Sequence, residues 1–185
     1  MVNIEPGSYK EAMASSAATE WMRAMEEEMK SHHENQTWDL IPRPPYSRVL
    51  GNRWLYKLKR HPDGSVARYK ARLVVQGFRQ IFGTDYLETY ASVGRYESVR
   101  LLLAVAAAKG LHLLQFDVKT AFLHGQLDGS TLYMDQPEGF STGEAGVVCR
   151  LNKSIYGLKQ SPRCWLETFT RFMRGIGLIP TQSDP

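Results

Sequence analysis

The residue best suited to chemistry in this chain is an aspartate inside an apolar run. Asp117 lies in the stretch LLQFDVKTAFL, residues 113–123. Burying an unpaired carboxylate costs on the order of several kcal/mol unless a metal ion, a cation or hydrogen bonds compensate its charge. From this stretch alone two interpretations are open: Asp117 is a metal ligand, or it is an acid at the exposed end of a strand.

The second group of candidate residues forms a basic segment. Between Arg43 and Gln80 there are ten basic residues and one acidic residue, whereas the rest of the chain holds 13 basic and 18 acidic residues. The ten are Arg43, Arg48, Arg53, Lys57, Lys59, Arg60, Arg68, Lys70, Arg72 and Arg79. A solvated basic surface is one explanation. Because Trp54, Tyr56 and Tyr69 are interleaved with the charges, a polyanionic partner such as nucleic acid or a nucleotide phosphate is favoured.

Two β-rich runs must position these cations. The runs Arg53–Arg60 and Val66–Gln76 are joined across HPDGS, residues 61–65, and a Pro-Asp-Gly turn between such runs predicts a β-hairpin. Side chains two residues apart share one face of a strand. The cations that share a face are Arg68, Lys70 and Arg72 on the second strand, and Lys57 and Lys59 on the first. Convergent cations on a two-stranded arm suit a triphosphate or a phosphodiester backbone.

The first part of the chain and its middle are predicted to be helical. A capping-box pattern at residues 8–11 predicts the start of a helical stretch, along which Trp21, Met25 and Met29 form an apolar stripe. A further helix is predicted over Tyr96–Lys109, ended by Gly110 and followed by a strand that carries Asp117.

The last part of the chain is predicted to add two short strands and a helix. The strands lie near residues 131–135 and 147–151, and Ser161 is the expected N-cap of a helix with Pro162 at its first position. An apolar stripe follows along that helix at Trp165, Phe169, Phe172 and Ile176. With no internal repeat or long linker, these elements predict one compact α+β unit.

Composition excludes several classes of protein. With 185 residues and 43% hydrophobic content the chain can bury a core, and no apolar run reaches the roughly 18 to 20 residues of a membrane span. The start lacks the basic and apolar regions of a secretory signal, so we expect an intracellular protein. Cys149 and Cys164 are too few for a disulfide scaffold and are not spaced as zinc ligands, so we expect two reduced core thiols.

Six blocks of the sequence occur in a specific order. They are EWMRAMEEE (20–28), NQTWDL (35–40), KARLV (70–74), QFDVKTAFLHG (115–125), YMDQPEGF (133–140) and YGLKQSPR (156–163). In this order they resemble the reverse transcriptase (RNA-dependent DNA polymerase) of copia-type retrotransposons. The resemblance extends from about residue 8 to residue 184. It implies the fingers and palm of a right-hand polymerase within a Pol polyprotein.

The resemblance implies a metal site and a side chain that selects the sugar of the nucleotide. Asp117 matches the first metal-binding aspartate of the polymerase palm, where the backbone carbonyl of Val118 would bind the same Mg²⁺ or Mn²⁺ ions. Phe122 matches the bulky position that excludes a ribose 2′-hydroxyl and thereby selects deoxynucleotides. Without the resemblance, Phe122 would be interpreted as a core aromatic.

The resemblance also assigns the cations. The hairpin resembles the fingers, so Arg68, Lys70 and Arg72 would contact the incoming triphosphate, although register does not fix which of them does so. Residues expected to bind nucleic acid are Lys57, Lys59 and Arg60. Residues expected to line the nucleotide and template pocket are Tyr156, Gly157 and Lys159. The implied partners are an RNA or DNA template-primer, deoxynucleoside triphosphates and the remainder of a Pol polyprotein.

One feature of the family is absent from the sequence. The second pair of catalytic carboxylates lies on a Tyr-x-Asp-Asp hairpin, and the 185 residues contain no adjacent Asp-Asp pair. We therefore expect an N-terminal region and connector (about 8–50), fingers (51–110) and a palm truncated before that hairpin (111–185). We therefore expect this chain alone to lack most of the ligands that two metal ions need. The expected product is an inactive reverse transcriptase fragment, in the cytoplasm or in retroelement particles. The alternative is a non-catalytic nucleic-acid-binding or vestigial product.

Overall fold

The computed structural model describes residues 5–127 and 129–181, which form a mixed α+β fold. The helices are α1 (Tyr9–Ala14), α2 (Ala18–Glu34), α3 (Tyr96–Lys109) and α4 (Ser161–Gly175). The strands are β1 (Trp38–Pro42), β2 (Val49–Leu50), β3 (Asn52–Arg60), β4 (Val66–Val75), β5 (Tyr133–Met134) and β6 (Val147–Leu151). Short 3₁₀ helices cover Gly77–Arg79 and Ala121–His124.

Strands β3 and β4 form the predicted hairpin. They pair antiparallel, with Lys57 opposite Lys70 and a register shift next to Lys59. In the turn, the Asp63 carboxylate accepts hydrogen bonds from the Ser65 amide at 2.9 Å and the Ser65 hydroxyl at 2.6 Å. These bonds to an Asp-Gly turn explain why the chain reverses here. The hairpin prediction is confirmed.

The second sheet joins the beginning and the end of the chain. Its strand order is β1-β6-β5-β2, with antiparallel β1/β6 and β5/β6 pairs and a parallel β2/β5 pair. The two short strands predicted late in the sequence are β5 and β6, and both are confirmed. Because β1 and β2 precede the hairpin, the region before residue 51 shares a sheet with the region after residue 110.

The core lies where α2 packs against the hairpin. Trp21 and Met25 of α2 are buried, and the Trp21 ring meets the rings of Tyr56 and Tyr69 edge-on at centroid distances of 5.1 and 4.7 Å. Leu73 of β4 is also fully buried. The predicted apolar stripe of the first helical stretch is therefore a core-facing surface. The stretch is two helices, because Ser15 lies in an extended conformation and ends α1.

The strand expected around Asp117 is absent from the described structure, and this prediction is wrong. Residues 111–118 belong to no helix or strand, and no described residue pairs with them in a ladder. A strand exists only through hydrogen bonds to a neighbour, so an apolar sequence without a partner strand does not form one. The preceding helix α3 is confirmed at its predicted bounds, with Gly110 in the left-handed conformation at φ 62°.

The start of α4 also differs from its prediction. Gln160 occupies the N-cap position, so Ser161 is the first helical residue and Pro162 the second. The Ser161 hydroxyl instead donates a hydrogen bond to the Ile155 carbonyl at 2.6 Å, because the residue is buried against the preceding turn. The far end of the predicted apolar stripe is exposed, since Phe172 and Ile176 retain 63% and 58% of their surface.

The two thiols expected in the core lie there, since Cys149 and Cys164 are both buried and neither forms a disulfide bond. No helix in the described ranges is long and apolar enough to cross a membrane.

A candidate nucleotide pocket

A cavity of about 570 Å³ brings together residues from four parts of the chain. Helix α2 forms one wall and β4 forms another, while residues 117–120 and Tyr156 complete the lining. Six of the residues predicted from sequence line this cavity: Arg68, Lys70, Arg72, Asp117, Val118 and Tyr156. The two candidate features of the sequence, the lone aspartate and the basic hairpin, therefore share one site.

The three cations of β4 are not equivalent. The Arg68 guanidinium is paired with the Glu27 carboxylate of α2 at 2.7 Å, and the Arg72 guanidinium lies over the Tyr156 ring at 5.2 Å from its centroid. Lys70 lies between them and is partly buried. Burial lowers the pKa of the Lys70 ammonium, and the positive charges of Arg72 and Arg68 lower it further. An anion that entered the cavity would relieve the repulsion among these three cations. The wall that β4 forms is therefore suited to phosphate.

The opposite wall of the cavity is acidic, and sequence reasoning missed it. Glu27, Glu28 and Glu34 of α2 line the cavity, and the apolar stripe of this helix did not predict that they would. The Glu28 carboxylate is nearly buried and accepts a hydrogen bond from the Leu73 amide at 3.2 Å. It also lies 3.6 Å from Nε2 of His32. The i,i+4 spacing of Glu28 and His32 was the available signal for a shared helix face.

The segment that carries Asp117 contributes the lower rim of the cavity. Asp117 is exposed rather than buried in an apolar run, because the neighbouring Leu114 and Phe116 are themselves 82% and 83% exposed. Thr120 has φ 52°, an unusual conformation for a β-branched residue. Such backbone outliers often occur at binding sites.

An aromatic pair forms the floor next to Tyr156. The rings of Phe122 and Tyr156 meet edge-on with their centroids 4.9 Å apart. Burial raises the pKa of the Tyr156 phenol, while the Arg72 charge acts in the opposite direction. Phe122 does not line the cavity itself, but it supports the residue that does. Its carbonyl accepts a hydrogen bond from the Ser154 hydroxyl, which ties the 3₁₀ helix to the segment before Tyr156.

The remaining predicted residues lie outside the cavity. Lys57 is paired with Glu5 at 3.0 Å, and Arg60 donates to the Gly64 carbonyl at 3.0 Å within the hairpin turn. Lys59 faces Arg68 across the hairpin. The Lys159 ammonium lies 3.4 Å from the Tyr86 hydroxyl, over the Tyr86 ring. Gly157 follows Tyr156 and packs against β4.

The predicted metal ligands are few in the described structure. Asp117 and the Val118 carbonyl are two oxygen donors, whereas Mg²⁺ takes about six ligands, several of which can be water. Among residues 5–127 and 129–181, no group of three His, Cys, Asp or Glu side chains could hold a metal ion. A catalytic pair of metal ions would need further carboxylates beside Asp117.

Comparison with known proteins agrees with the resemblance seen in the sequence. Residues 35–183 match the family model described as reverse transcriptase (RNA-dependent DNA polymerase). The chain is 46% identical over 182 residues to the retrovirus-related Pol polyprotein from transposon TNT 1-94 of Nicotiana tabacum. It is 41% identical over 184 residues to that from transposon RE2 of Arabidopsis thaliana. Each alignment covers 98% of this chain but only 14% and 12% of the respective polyproteins.

A shorter relative and the solved structures complete the comparison. The chain is 44% identical over 86 residues to an uncharacterized mitochondrial protein of Arabidopsis thaliana. This alignment covers 46% of our chain and 51% of the mitochondrial protein. No solved structure matches the chain.

Proposed function

Because the chain belongs to the reverse transcriptase family of copia-type retrotransposon Pol polyproteins, we propose that its cavity is the deoxynucleoside triphosphate pocket of such an enzyme. The observation that carries this proposal is the convergence of Lys70, Arg72, Asp117 and Tyr156 on one cavity. No single block of the sequence would have placed them together.

The cationic wall would hold the triphosphate. Lys70 and Arg72 are the two cations of this wall that no acidic side chain in the described ranges pairs with directly, whereas Arg68 is held by Glu27. We therefore assign the phosphate contacts first to Lys70 and Arg72. Arginine and lysine beside each other supply both a planar fork and a point charge for phosphate oxygens.

The aromatic floor would recognise the sugar. The Phe122 ring packs behind Tyr156 at a centroid distance of 4.9 Å and does not line the cavity itself. The two rings together would disfavour a 2′-hydroxyl on a sugar that rests on Tyr156, with Phe122 holding the Tyr156 ring in place. The proposed reaction of the complete enzyme is RNA-directed DNA synthesis, and the divalent ions of that reaction would stabilise the developing charge on the phosphates. In this chain, Asp117 and the Val118 carbonyl would supply part of their coordination.

A direct test is triphosphate binding without catalysis. Titration calorimetry with dATP should detect binding to the parent chain, and Arg72→Ala should weaken it about tenfold or more because a charge-assisted contact is lost. Arg150→Ala is the matched control, since Arg150 pairs with Asp39 on the second sheet and lines no part of the cavity. Equal losses in both variants would contradict the proposal.

Primer extension separates binding from chemistry. We expect no extension of a primer on an RNA template by this chain with Mg²⁺ or Mn²⁺, because two metal ions need several carboxylates and the described ranges bring no group of three His, Cys, Asp or Glu side chains together. The variant Asp117→Asn is the control. Extension by the parent chain that is lost in Asp117→Asn would show that the site is complete, and the proposal of an inactive fragment would be wrong.

A second candidate function is nucleic-acid binding without catalysis. It is favoured by the exposed cations Lys57, Lys59 and Arg60, which lie on β3 outside the cavity. In the complete enzyme these residues would contact the template-primer backbone. The chain alone would retain this affinity for nucleic acid, in retroelement particles or in the cytoplasm. Charge-dependent binding of RNA by a chain that does not bind dATP would favour this candidate over the first.

A further inference from the structure

Two buried glutamine side chains join the loop after the hairpin to the segment that carries Tyr156. Gln80 is 5% exposed and Gln160 is fully buried. The Gln80 side chain donates from Nε2 to Oε1 of Gln160 at 2.9 Å and accepts from the Lys159 amide at 2.8 Å. Gln160 in turn donates from Nε2 to the Asp85 carbonyl at 2.9 Å. Each buried amide therefore has a hydrogen-bond partner on both its nitrogen and its oxygen, as burial favours.

Backbone groups fix the direction of this chain of hydrogen bonds. At one end the Lys159 amide can only donate, so the oxygen of Gln80 must face it. At the other end the Asp85 carbonyl can only accept, so the nitrogen of Gln160 must face it. Neither side-chain amide can turn over without placing two donors or two acceptors against each other. The arrangement has one hydrogen-bonded state.

The other end of the Tyr156 segment is held by the base of the hairpin. The Val75 amide donates to the Tyr156 carbonyl at 2.9 Å. Gly157 has φ 95°, and a Cβ atom there would lie 2.2 Å from the Val75 carbonyl oxygen. A Cβ atom on Gly77 would lie 1.9 Å from the Gly157 carbonyl oxygen. The two backbones touch, so the segment has no room to shift toward β4.

We infer that Gln80 and Gln160 are positioning residues that hold the Tyr156 segment in register with the phosphate-binding strand β4. Tyr156 is anchored by Val75, the last residue of β4, and Lys159 is anchored by Gln80 in the stretch that follows β4, so both ends of the segment are held by this part of the chain. The Tyr156 ring thereby keeps its place under Arg72 and against Phe122. One consequence rests on the proposed function. By holding Tyr156 in place, the glutamine pair would set how strongly the pocket prefers a deoxyribose to a ribose.

Loss of the pair should act on the segment before it acts on the fold. A methionine at position 80 keeps the length of the side chain but removes both hydrogen bonds. The Lys159 amide and the Gln160 side chain would then lose their partners, and the segment would exchange between positions. A movement of Tyr156 away from Phe122 would widen the space for a 2′-hydroxyl.

Hydrogen exchange measures the positioning role without any nucleotide. In Gln80→Met, amides of residues 156–160 should exchange about tenfold faster than in the parent or more, as expected for the loss of two buried hydrogen bonds. Gln136→Met is the matched control, because Gln136 also bridges two backbone groups, Val147 and Thr142, but lines no part of the cavity. Unchanged exchange at 156–160 in Gln80→Met, or equal acceleration in Gln136→Met, would overturn the inference.

A second variant covers the case in which Gln80→Met does not fold. Gln80→Glu keeps the size of the side chain and its acceptor for Lys159, but it replaces the donor to Gln160 with an acceptor. The same local acceleration is expected, and its absence in a folded Gln80→Glu chain counts against the inference.

Nucleotide affinity tests the consequence for the sugar. The ratio of the dATP to the ATP affinity should fall about threefold or more in Gln80→Met, because small displacements at a positioned site are costly, and it should be unchanged in Gln136→Met. An unchanged ratio in Gln80→Met would refute the role in discrimination. A parent chain that binds neither nucleotide would refute the proposed function, while the exchange experiment would still decide the positioning role.

Discussion

The unequal cations of β4 lead to a quantitative prediction for nucleic-acid binding. Replacing Arg68, Lys70 and Arg72 together by alanine removes three positive charges from one wall of the cavity. The affinity for nucleic acid falls as salt rises, so the plot of log affinity against log salt has a negative slope. Each phosphate contact that is lost reduces the magnitude of this slope by roughly 0.7 for a single strand and 0.9 for a duplex. Three equivalent contacts would therefore lower the slope by about 2.1 to 2.7.

The structure predicts a smaller change than that. Arg68 is already held by Glu27 at 2.7 Å, so it releases little additional counterion when nucleic acid binds. Lys70 and Arg72 should account for the effect, which gives a decrease in slope of about 1.4 to 1.8. Between about 50 and 200 mM salt, this decrease corresponds to a roughly 7- to 12-fold smaller loss of affinity in the variant than in the parent.

Fluorescence anisotropy with a labelled single-stranded RNA across this salt range measures the slope. The double variant Lys70→Ala/Arg72→Ala should match the triple variant, and Arg68→Ala alone should retain nearly the parent slope. Arg150→Ala, on the second sheet and outside the cavity, is the control for location and should retain the parent slope. A parent slope in the β4 triple variant would place the contact surface elsewhere and refute the reasoning.

Three further predictions concern stability, thiol reactivity and association. Gly157→Ala should lower the free energy of unfolding by about 2 to 4 kcal/mol in a denaturant titration, because φ 95° and the Val75 carbonyl leave no place for a methyl group; a change below about 0.5 kcal/mol would contradict the close approach. Burial raises the pKa of the Cys149 thiol to about 12, so at pH 8 only about one molecule in 10⁴ carries a thiolate there. Its reaction with a thiol reagent in the native state should remain slow and accelerate in denaturant. The exposed apolar side chains of Leu114 and Phe116 should favour association of the chain, so replacing both by lysine should reduce light scattering at high concentration. The control Tyr46→Lys changes a single exposed aromatic residue elsewhere and should not reduce the scattering.

Local sequence signals predicted the hairpin and helix α3 well. The turn at residues 61–65 and the strands on either side follow from chemistry within about 25 residues, and the bounds of α3 follow from its helical pattern and Gly110. Such signals are short-ranged and do not depend on the rest of the fold. The failed prediction, a strand around Asp117, depended on a partner that the described residues do not provide.

The acidic wall of the pocket could not be predicted for a related reason. An amphipathic pattern tells which face of α2 is apolar, but it does not tell which polar residue reaches across to another element. Glu28 faces the Leu73 amide only because α2 lies along the outer edge of β4. The glutamine pair was missed in the same way, since Gln80 and Gln160 lie 80 positions apart in the sequence and meet only in the folded chain.

The two sides of the pocket differ in how firmly the chain holds them, and this difference separates binding from chemistry. Lys70 and Arg72 lie on a strand that is paired along its length and packed by α2, and Tyr156 is fastened to the end of that strand. Asp117 lies in a segment without a ladder partner, beside an α3 helix in which only Ala106 is buried. A helix that is apolar around its circumference is normally covered on all sides. We therefore expect phosphate affinity to survive in this chain alone, and we expect alignment at Asp117 to depend on a further surface packed against residues 111–118.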